Sequence, residues 1–340
     1  MNKRISLTTV SLSLVVAIIS LLFGSCSEKE PSLGALPVPS FKSVALTPTS
    51  DLNAANIELI NTTPTSSIAY WNVPGVGMVK GDTVQVAFVF AGDYPVTLYT
   101  AGQGGLDSCT QTINVAQDNP YAVGPTTLLG VLTGASLGNT ERTWMASLTA
   151  NACVVWDTYT DVLSAINGGG GAWWGNSIGD ATLDGGGRTG YFDDKYTFTF
   201  GNTGQLIYDD NNSVFLDGSS GWVMALQTYG GAVGNFVSND VYSANPSCQP
   251  WASGTFTYSI ASAPAGVMKL GQITVHGVGA HFGMQDKANG SDQTVPTVPL
   301  ITYDVLQIKT DQTDAKGTYD QIDIGINDGN WWGFSFRSYR

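Results

Sequence analysis

The sequence predicts an all-β chain of two domains, a small β-sandwich followed by a larger β-sandwich of jelly-roll type. Apolar and polar residues alternate over short runs such as "TVQVAFVF", in which Val84, Val86, Phe88 and Phe90 share one face. Turn residues separate these runs, and residues 126–340 show no helical period. Short alternating strands joined by glycine-rich turns are typical of two-sheet folds.

The first 25 residues have the pattern of a secretory signal. Lys3 and Arg4 precede a largely apolar run, Ile5–Phe23, and small residues then lead to Cys26. The stretch "LFGSC" resembles the lipobox of bacterial lipoproteins, which implies cleavage after residue 25 and lipidation of Cys26. The alternative is a soluble secreted protein in which Cys26 is free or disulfide-bonded.

Residues 26–40 are expected to form a lipidated tether. The stretch "SEKE", Ser27–Glu30, resembles the acidic export tag of Bacteroidota lipoproteins displayed on the outer face of the outer membrane. Residues 31–40 carry three prolines and no aromatic residue, as a spacer does. We therefore expect an outer-membrane protein, anchored by lipid, whose folded part faces the medium.

Residues 41–116 are predicted to form the small sandwich. Strand-like runs such as "NIELIN" and "YPVTLYTA" follow one another with turns between them. The pieces "LINTTPTSSIAYWNV", "FAGDYPVTL" and "TQTINV" resemble a polycystic-kidney-disease (PKD) repeat, which implies an immunoglobulin-like fold and a spacer role. The hairpin "NVPGVGMV" departs from the family pattern, and Trp71 is interpreted as a core residue.

Residues 117–125 are interpreted as a linker and residues 126–340 as one jelly-roll domain, similar to a carbohydrate-binding module. Three runs alternate clearly, namely "KYTFTFG", "GTFTYSI" and "YDQIDIGI". A single short helix is predicted over "YTDVLSAI", Tyr159–Ile166. The length fits a single two-sheet domain.

Composition and charge exclude several classes of partner. The chain has a net charge of −13, and the loss of Lys3 and Arg4 with the signal makes it more acidic. Nucleic acid is therefore not an expected partner. Charged residues make up only 12% of the sequence, which suits neutral, polar ligands.

Catalytic chemistry has little support in the sequence. The large domain contains one glutamate, Glu141, so it lacks the glutamate pairs of jelly-roll hydrolases. Asp320 and Asp323 lie an odd interval apart on a predicted strand and so face opposite sides. The two histidines, His276 and His281, have too few partners for a triad or a zinc site. We expect no enzyme, with an aspartate-based glycan hydrolase or lyase as the alternative.

A structural calcium ion is the one cofactor that the sequence leaves open. The segment "YDDNNSVFLDG" clusters oxygen ligands, of which Asp209, Asp210 and Asn212 are the candidates. The same residues are those of a hairpin turn. No other cofactor is expected.

Cysteine usage suggests one disulfide at most. Besides Cys26 the chain has Cys109, Cys153 and Cys248. In an oxidising compartment, a Cys153–Cys248 bond is the expected pair because both residues fall in the large domain.

Eight of the nine tryptophans lie in the large domain. A sugar ring has an apolar face that stacks on an aromatic plate and a hydroxyl rim that hydrogen-bonds to amides and carboxylates. Strand alternation predicts that Trp332, Trp222, Trp144 and Trp156 are core residues. The candidates for stacking are Trp173, Trp174, Trp331 and Trp251.

The stretch "GGGGAWWGN", Gly168–Asn176, is the strongest of these signals, because a glycine loop cannot bury two indoles by itself. Core packing of one indole or both is the alternative. Asp193, Asp194 and Arg188 are candidates for hydrogen bonds to sugar hydroxyls.

The order "TWMASL…VVWD…GGGGAWWG…GYFDDKYTFTFG", followed by "VGAHFGMQDKANG" and "YDVLQI", resembles the C-terminal domain of Bacteroidota cell-surface glycan-binding lipoproteins. These relatives have a "GHFGVGP"-like segment where this chain has "TDVLSAINGGGG". The resemblance implies non-catalytic binding of a polysaccharide, such as a β-glucan, beside a TonB-dependent importer. A protein-binding surface adhesin is a further alternative.

Overall fold

The structure is a computed structural model that describes residues 34–49, 54–217, 233–262 and 270–340. The predicted signal peptide, Cys26, the "SEKE" stretch and Trp222 lie outside the described residues. The described chain is all-β, as predicted, with short helices between strands. Four α-helices are described: α1 (Leu128–Thr133), α2 (Tyr159–Ile166), α3 (Thr189–Phe192) and α4 (Ser238–Ala244). Among them there is none with the length and apolar character needed to cross a membrane.

The first seven strands form two small sheets. Their bounds are β1 (Phe41–Ala45), β2 (Ile57–Asn61), β3 (Ile68–Val73), β4 (Gly77–Lys80), β5 (Thr83–Val86), β6 (Gly92–Gly102) and β7 (Gly105–Val115). One sheet has the order β1-β2-β5 and the other the order β4-β3-β6-β7. Trp71 on β3 is fully buried, donates from Nε1 to Gly81 O at 2.7 Å and packs edge-on against Phe41. Its predicted core position is confirmed.

By backbone packing the described chain forms two compact units. The first contains residues 34–43, 59–84 and 95–113, and the second contains residues 44–49, 54–58 and 85–94 and the described residues from 114 onward. Within the second unit, Asn119 of the predicted linker is buried. Its N–H donates to Val89 O at 2.8 Å and its Nδ2 to Ala54 O at 2.6 Å.

The remaining strands are numbered β8 to β21. Their bounds are β8 (Glu141–Ala146), β9 (Cys153–Trp156), β10 (Trp174–Gly175), β11 (Lys195–Thr199), β12 (Gln205–Asp209), β13 (Ser213–Asp217), β14 (Val233–Val237), β15 (Gly254–Ser262), β16 (Gly271–His276), β17 (Lys287–Ala288), β18 (Ser291–Asp292), β19 (Leu300–Asp314), β20 (Gly317–Asn327) and β21 (Trp331–Tyr339). Eight of them pair in the closed order β8-β11-β12-β15-β16-β19-β20-β21, and β21 returns to β8 through the pairs Phe336↔Ala146 and Arg337↔Met145.

This closed ring differs from the predicted jelly roll. A jelly roll divides its strands between two sheets, whereas here the strands joined by hairpins pair side by side and the last strand pairs with the first. The two-sheet layout is therefore not confirmed. Alternation within each strand is the same in both folds, so it predicts strands and inward faces without deciding how the sheet closes.

Aromatic and branched side chains fill the ring. Ile322, Ile324 and Ile326 of β20 are buried, as the alternation predicted. Phe282, from the segment after β16, stacks on Phe336 at 4.2 Å between ring centres and packs edge-on against Phe198 at 5.1 Å. This filled interior makes the ring a rigid support for the segments outside it.

Helix α2 lies on the outside of the ring, at the bounds predicted from the sequence. Thr158 caps its N-terminus by accepting a hydrogen bond from Asp161 N–H at 3.2 Å. Its buried residues, Val162 and Ala165, pack with Val154 of β9 and Leu306 of β19. The helix thus covers the outer face of β9 and its neighbours next to the glycine loop.

Candidate functional site

Three short strand segments bring most of the candidate tryptophans together. Strand β9 lies between β10 and β21, with Trp174 opposite Val155 and Val155 opposite Trp332. One position further along, Trp156 lies opposite Trp331. Trp173 precedes β10, and its N–H donates to Val155 O at 3.2 Å. Trp173, Trp156 and Trp331 therefore start from neighbouring backbone positions on three adjacent segments.

These residues differ in how much of their surface reaches solvent. The side chain of Trp173 is 57% exposed, whereas Trp156 and Trp331 are partly buried against the cluster around α2. Tyr159, in the first turn of α2, packs edge-on against Trp331 with 5.6 Å between ring centres. We call the set of Trp156, Tyr159, Trp173 and Trp331 the tryptophan face.

Three of the four glycines shape the loop beside this face. Gly168 N–H donates to Ala165 O at 3.0 Å, and Gly169 N–H donates to Ser164 O at 2.8 Å, so the loop leaves α2 in a tight turn. Gly171 has φ of +108°, and a Cβ there would come within 2.5 Å of Trp156 Cη2. Glycine thus lets the backbone lie on the indole of Trp156.

Polar residues adjoin members of the tryptophan face along the backbone. Asp157 follows Trp156, Asn327 is the register partner of Trp331, and Asn330 precedes Trp331. All three residues are exposed. Carboxylate and amide groups beside exposed indoles are what binding of a sugar ring requires.

Trp174 lies on the opposite side of the sheet from Trp173. It is partly buried against the main core, 6.0 Å from the ring centre of Trp332. The Arg188 guanidinium lies over it at 5.0 Å and over Phe215 at 4.6 Å. A small cavity of about 20 Å³ lies between these groups and Cys153. The pairing of Trp173 and Trp174 as one platform is therefore wrong, because adjacent residues on extended backbone point to opposite faces.

The candidates for hydroxyl binding are also placed differently from the prediction. Asp193 and Asp194 are buried, and burial raises the pKa of both carboxyl groups. Asp193 accepts from Asn211 Nδ2 at 3.1 Å, and Asp194 accepts from Tyr196 Oη at 3.4 Å. The expectation that they face a ligand is wrong, because they follow α3 and turn inward. Arg188 instead lies 3.6 Å from Asp180.

Trp251 was expected to be exposed and is buried. It ends a 3-10 helix, Pro246–Trp251, and packs with Val214, Val241, Tyr242 and other residues of a separate core cluster. The sequence "SCQPWASG" looks like an open loop, but the prolines allow a short helix that directs the indole inward. Trp251 is thus not available for stacking.

The segment "DDNN" forms a turn. Asp209 Oδ1 accepts from Asn211 N–H at 2.9 Å, and Asp210 Oδ1 accepts from Asn212 N–H at 3.0 Å and from Ser253 Oγ at 2.8 Å. Asn211 and Asn212 have positive φ, which asparagine tolerates. The carboxylates thus bond to the turn itself. Among the described residues there is no group of three His, Cys, Asp or Glu side chains suited to a metal ion.

The predicted Cys153–Cys248 disulfide is wrong. Both residues are free thiols, as is Cys109. Cys153 packs in the main core, with its Sγ 3.4 Å from Met284 Sδ, whereas Cys248 belongs to the cluster of Trp251. Placement in one domain does not bring two cysteines within bonding distance.

The aspartates and histidines considered for catalysis are engaged in structural contacts. Asp320 pairs with Arg142 at 2.6 Å and with Arg340 at 2.8 Å, and Asp323 is buried beside Gln321. His281 is fully buried, and its Nδ1 donates to Gly279 O at 2.8 Å. His276 contacts Ser259 Oγ at 2.9 Å.

Sequence reasoning missed two members of the tryptophan face. Trp156 was interpreted as a core residue and Tyr159 was noted only as the start of a helix. The signal that could have identified them is their position: Trp156 ends a strand, and Tyr159, three residues later, begins a helix. Such a boundary leaves side chains at the rim of the sheet.

Comparisons with known proteins give little further information. No protein-family model and no curated protein matches the chain. A similar solved structure is the PKD1 domain of the metalloprotease PrtV from Vibrio cholerae, at 20% sequence identity and a TM-score of 0.21. The alignment covers 24% of this chain and all of that domain. A match at this TM-score does not establish a shared fold.

Proposed function

We propose that this protein is a non-catalytic, surface-exposed glycan-binding lipoprotein that captures a polysaccharide, such as a β-glucan, on the tryptophan face. The observation that carries the proposal is the exposed indole of Trp173, whose backbone pairs with β9 next to the partly buried Trp156 and its register partner Trp331. One exposed indole alone is ordinary, but an exposed indole whose backbone adjoins two further tryptophans is the kind of apolar surface that interaction sites use.

The surroundings support a neutral, polar ligand. Asp157, Asn327 and Asn330 supply hydrogen-bonding groups at the border of the face. The low content of charged residues and the net charge of −13 disfavour an anionic polymer. Stacking on one exposed ring gives weak binding per site, so several contacts along a chain, or several tethered copies, would provide retention.

The remaining elements of the proposal concern location and partners. Cys26 would carry the lipid anchor on the outer face of the outer membrane, and the proline-rich tether would lift the folded part away from it. Residues 41–116 would act as an immunoglobulin-like, PKD-type spacer. The captured polysaccharide would pass to a neighbouring TonB-dependent importer.

Affinity gel electrophoresis with a panel of polysaccharides tests the proposal. The wild-type protein should be retarded in at least one gel, and Trp173→Ala should lose roughly tenfold in affinity, equivalent to about 1.4 kcal/mol. Because the Trp173 side chain is exposed, the melting temperature of the Trp173→Ala protein should equal that of the wild type.

Two variants serve as controls. Leu106→Ala removes an exposed apolar side chain of β7 and should bind as the wild type does. Trp174→Ala removes an indole that packs against Trp332 and Arg188, so it should lower the melting temperature. Full retardation of Trp173→Ala would contradict the proposed site.

The same polysaccharides also distinguish the two alternative functions, if release of reducing sugar is assayed beside gel retardation. Release of reducing sugar would favour an aspartate-based hydrolase or lyase. Absence of retardation in every gel would favour a protein-binding adhesin.

A further inference from the structure

A buried lysine lies among three carboxylates at one end of the ring. The Lys287 side chain is 4% exposed, and its Nζ lies 3.2 Å from Asp286 Oδ2 and 3.2 Å from Asp328 Oδ2. It also contacts Asp292 Oδ1. The Trp332 ring covers the ammonium at 4.1 Å from the ring centre. An amine and carboxyl groups thus meet in a site from which water is largely excluded.

Backbone contacts fix the partners in place. Lys287 and Asp292 are register partners in the β17–β18 hairpin. The turn of this hairpin is held by Gly290 N–H, which donates to Asn327 O at 2.7 Å, next to Asp328. Reacting groups held in this way have a large effective concentration.

From this geometry we propose that Lys287 forms an intramolecular amide bond with Asp328. The bond would join the β17–β18 hairpin to the turn between β20 and β21. The proposal does not depend on glycan binding.

Asp328 is the best electrophile of the three carboxyl groups. Its side chain is 2% exposed, whereas that of Asp292 is 55% exposed, and a dry site protects the reaction from competing water. Asp286 is adjacent to Lys287 in sequence, which makes a side-chain ring between them small. Burial and a hydrogen bond to Asp292 raise the pKa of Asp328 to about 6, which favours the protonated carboxyl that an amine can attack.

Asp286 is placed to handle the proton. Burial raises its pKa to about 7. Burial alone would lower the pKa of Lys287, but the three carboxylates, Asp286 foremost, outweigh this and raise it. The raised pKa of Lys287 opposes formation of the free amine, so the reactive form is a minor one. Asp286 is the group that can take the proton, and the transfer leaves two neutral groups, which cost less to bury than an ion pair.

The reaction balances without an added reagent. The neutral Nζ of Lys287 attacks Cγ of the protonated Asp328 carboxyl, and Asp286 gives the proton it took from Lys287 to the departing oxygen. The nitrogen, which now carries two hydrogens and a positive charge, loses one of these protons to the Asp286 carboxylate, so Asp286 ends protonated. Oδ2 leaves as one molecule of water, and an amide remains. Oδ1, which accepts from Asn330 N–H at 3.3 Å, becomes the amide oxygen and is stabilised there as negative charge develops.

Intact-mass spectrometry of the mature protein tests the inference. The wild type is expected to be about 18 Da lighter than its sequence, the mass of one water. Lys287→Arg keeps the positive charge but has no nucleophilic amine, so it should have the full mass. Asp328→Asn would release ammonia instead and should be lighter by about 17 Da. Lys195→Arg, at a surface ion pair with Asp209, is the matched control and should keep the wild-type loss.

Peptide mapping identifies the bond. Trypsin should fail to cleave after Lys287, and one branched peptide should contain Lys287 and Asp328. Asp328 precedes Gly329, and such a pair can also lose water by forming a cyclic imide. Hydroxylamine opens that imide but leaves an amide intact, so the loss should survive hydroxylamine.

Three results would overturn the inference: a wild type of full mass, a mass loss that persists in Lys287→Arg, or a branched peptide that joins Lys287 to Asp292.

Discussion

At the scale of single residues, burial decides which polar groups keep their charge. His281 is enclosed by Tyr196, Tyr208 and the ring interior, and burial lowers its pKa to about 4. Asp210 is the charged group whose field opposes this shift. The histidine is therefore neutral in the folded protein at every pH above about 4.

This shift predicts a pH-dependent loss of stability. The unfolded chain takes up a proton on His281 below pH 6.5, while the folded chain does so only near pH 4, so stability is full above pH 6.5 and falls as the pH decreases. Between pH 7 and pH 5 this residue should remove about 2 kcal/mol from the free energy of unfolding.

Urea unfolding of the wild type and of His281→Asn at the two pH values measures the effect. Asp286, whose raised pKa acts in the opposite direction, is present in both proteins and cancels in the comparison. An equal pH dependence in the two proteins would contradict the assignment to His281.

Single residues also show where sequence reasoning ends. Trp71 was recognisable as core because it lies within an alternating strand. Trp251 and Asp194 lie outside regular strands, and the direction of such side chains depends on tertiary packing that alternation does not encode. The exposure of Trp173 was predictable because glycines on one side leave nothing local to cover it.

At the scale of elements, the contact between α2 and β21 is closely fitted. A Cβ on Gly333 would lie 2.0 Å from Val162 Cγ1 and 3.2 Å from Ile166 Cδ1. Glycine at this position lets the helix approach the strand, and the helix in turn supports Tyr159 and Trp331 of the tryptophan face.

Gly333→Ala should therefore destabilise the protein by about 1–3 kcal/mol through overpacking. The double variant Gly333→Ala/Val162→Ala should recover part of this loss, since the clashing methyl groups are removed. Gly170→Ala, with open space around the added methyl, is the control and should be near neutral. Chemical denaturation of these variants and of the single variant Val162→Ala gives the values, and a fully additive double variant would contradict the predicted clash.

Elements were also the most predictable level from the sequence. The bounds of α2 and the inward faces of β11, β15 and β20 follow from residue patterns that are visible in the printed chain. The register of β10, β9 and β21 was not predictable, because it depends on pairing between segments far apart in sequence. That register is what places Trp156 beside Trp331.

At the scale of the whole molecule, the described chain holds together without disulfide bonds. Cys109, Cys153 and Cys248 are free, and burial raises the pKa of Cys153 to about 12, which keeps its thiol unreactive.

A reducing agent should therefore leave the melting temperature unchanged, measured by calorimetry on protein carrying Cys26→Ser so that no lipid is attached. A thiol assay on the denatured protein should find all three remaining cysteines reactive before any reduction. A fall in melting temperature on reduction would show that two of them are bonded after all.

Closure of the ring was not predictable from the sequence. Each strand carries the same alternation whether its sheet is open, split or closed, and the deciding pairs, Phe336 with Ala146 and Arg337 with Met145, join strands separated by most of the domain. The all-β class was therefore predictable and its architecture was not.

The position of β21 also bears on the order in which the sheet can form. This strand pairs with β8, β9 and β20. The sheet therefore cannot close before residues 331–339 have been synthesised. Strands β8, β9 and β20 therefore lack a neighbour in a chain that has been made only as far as residue 330. A partly made chain would thus keep these strand edges unpaired, and exposed edges of this kind favour aggregation until β21 is present.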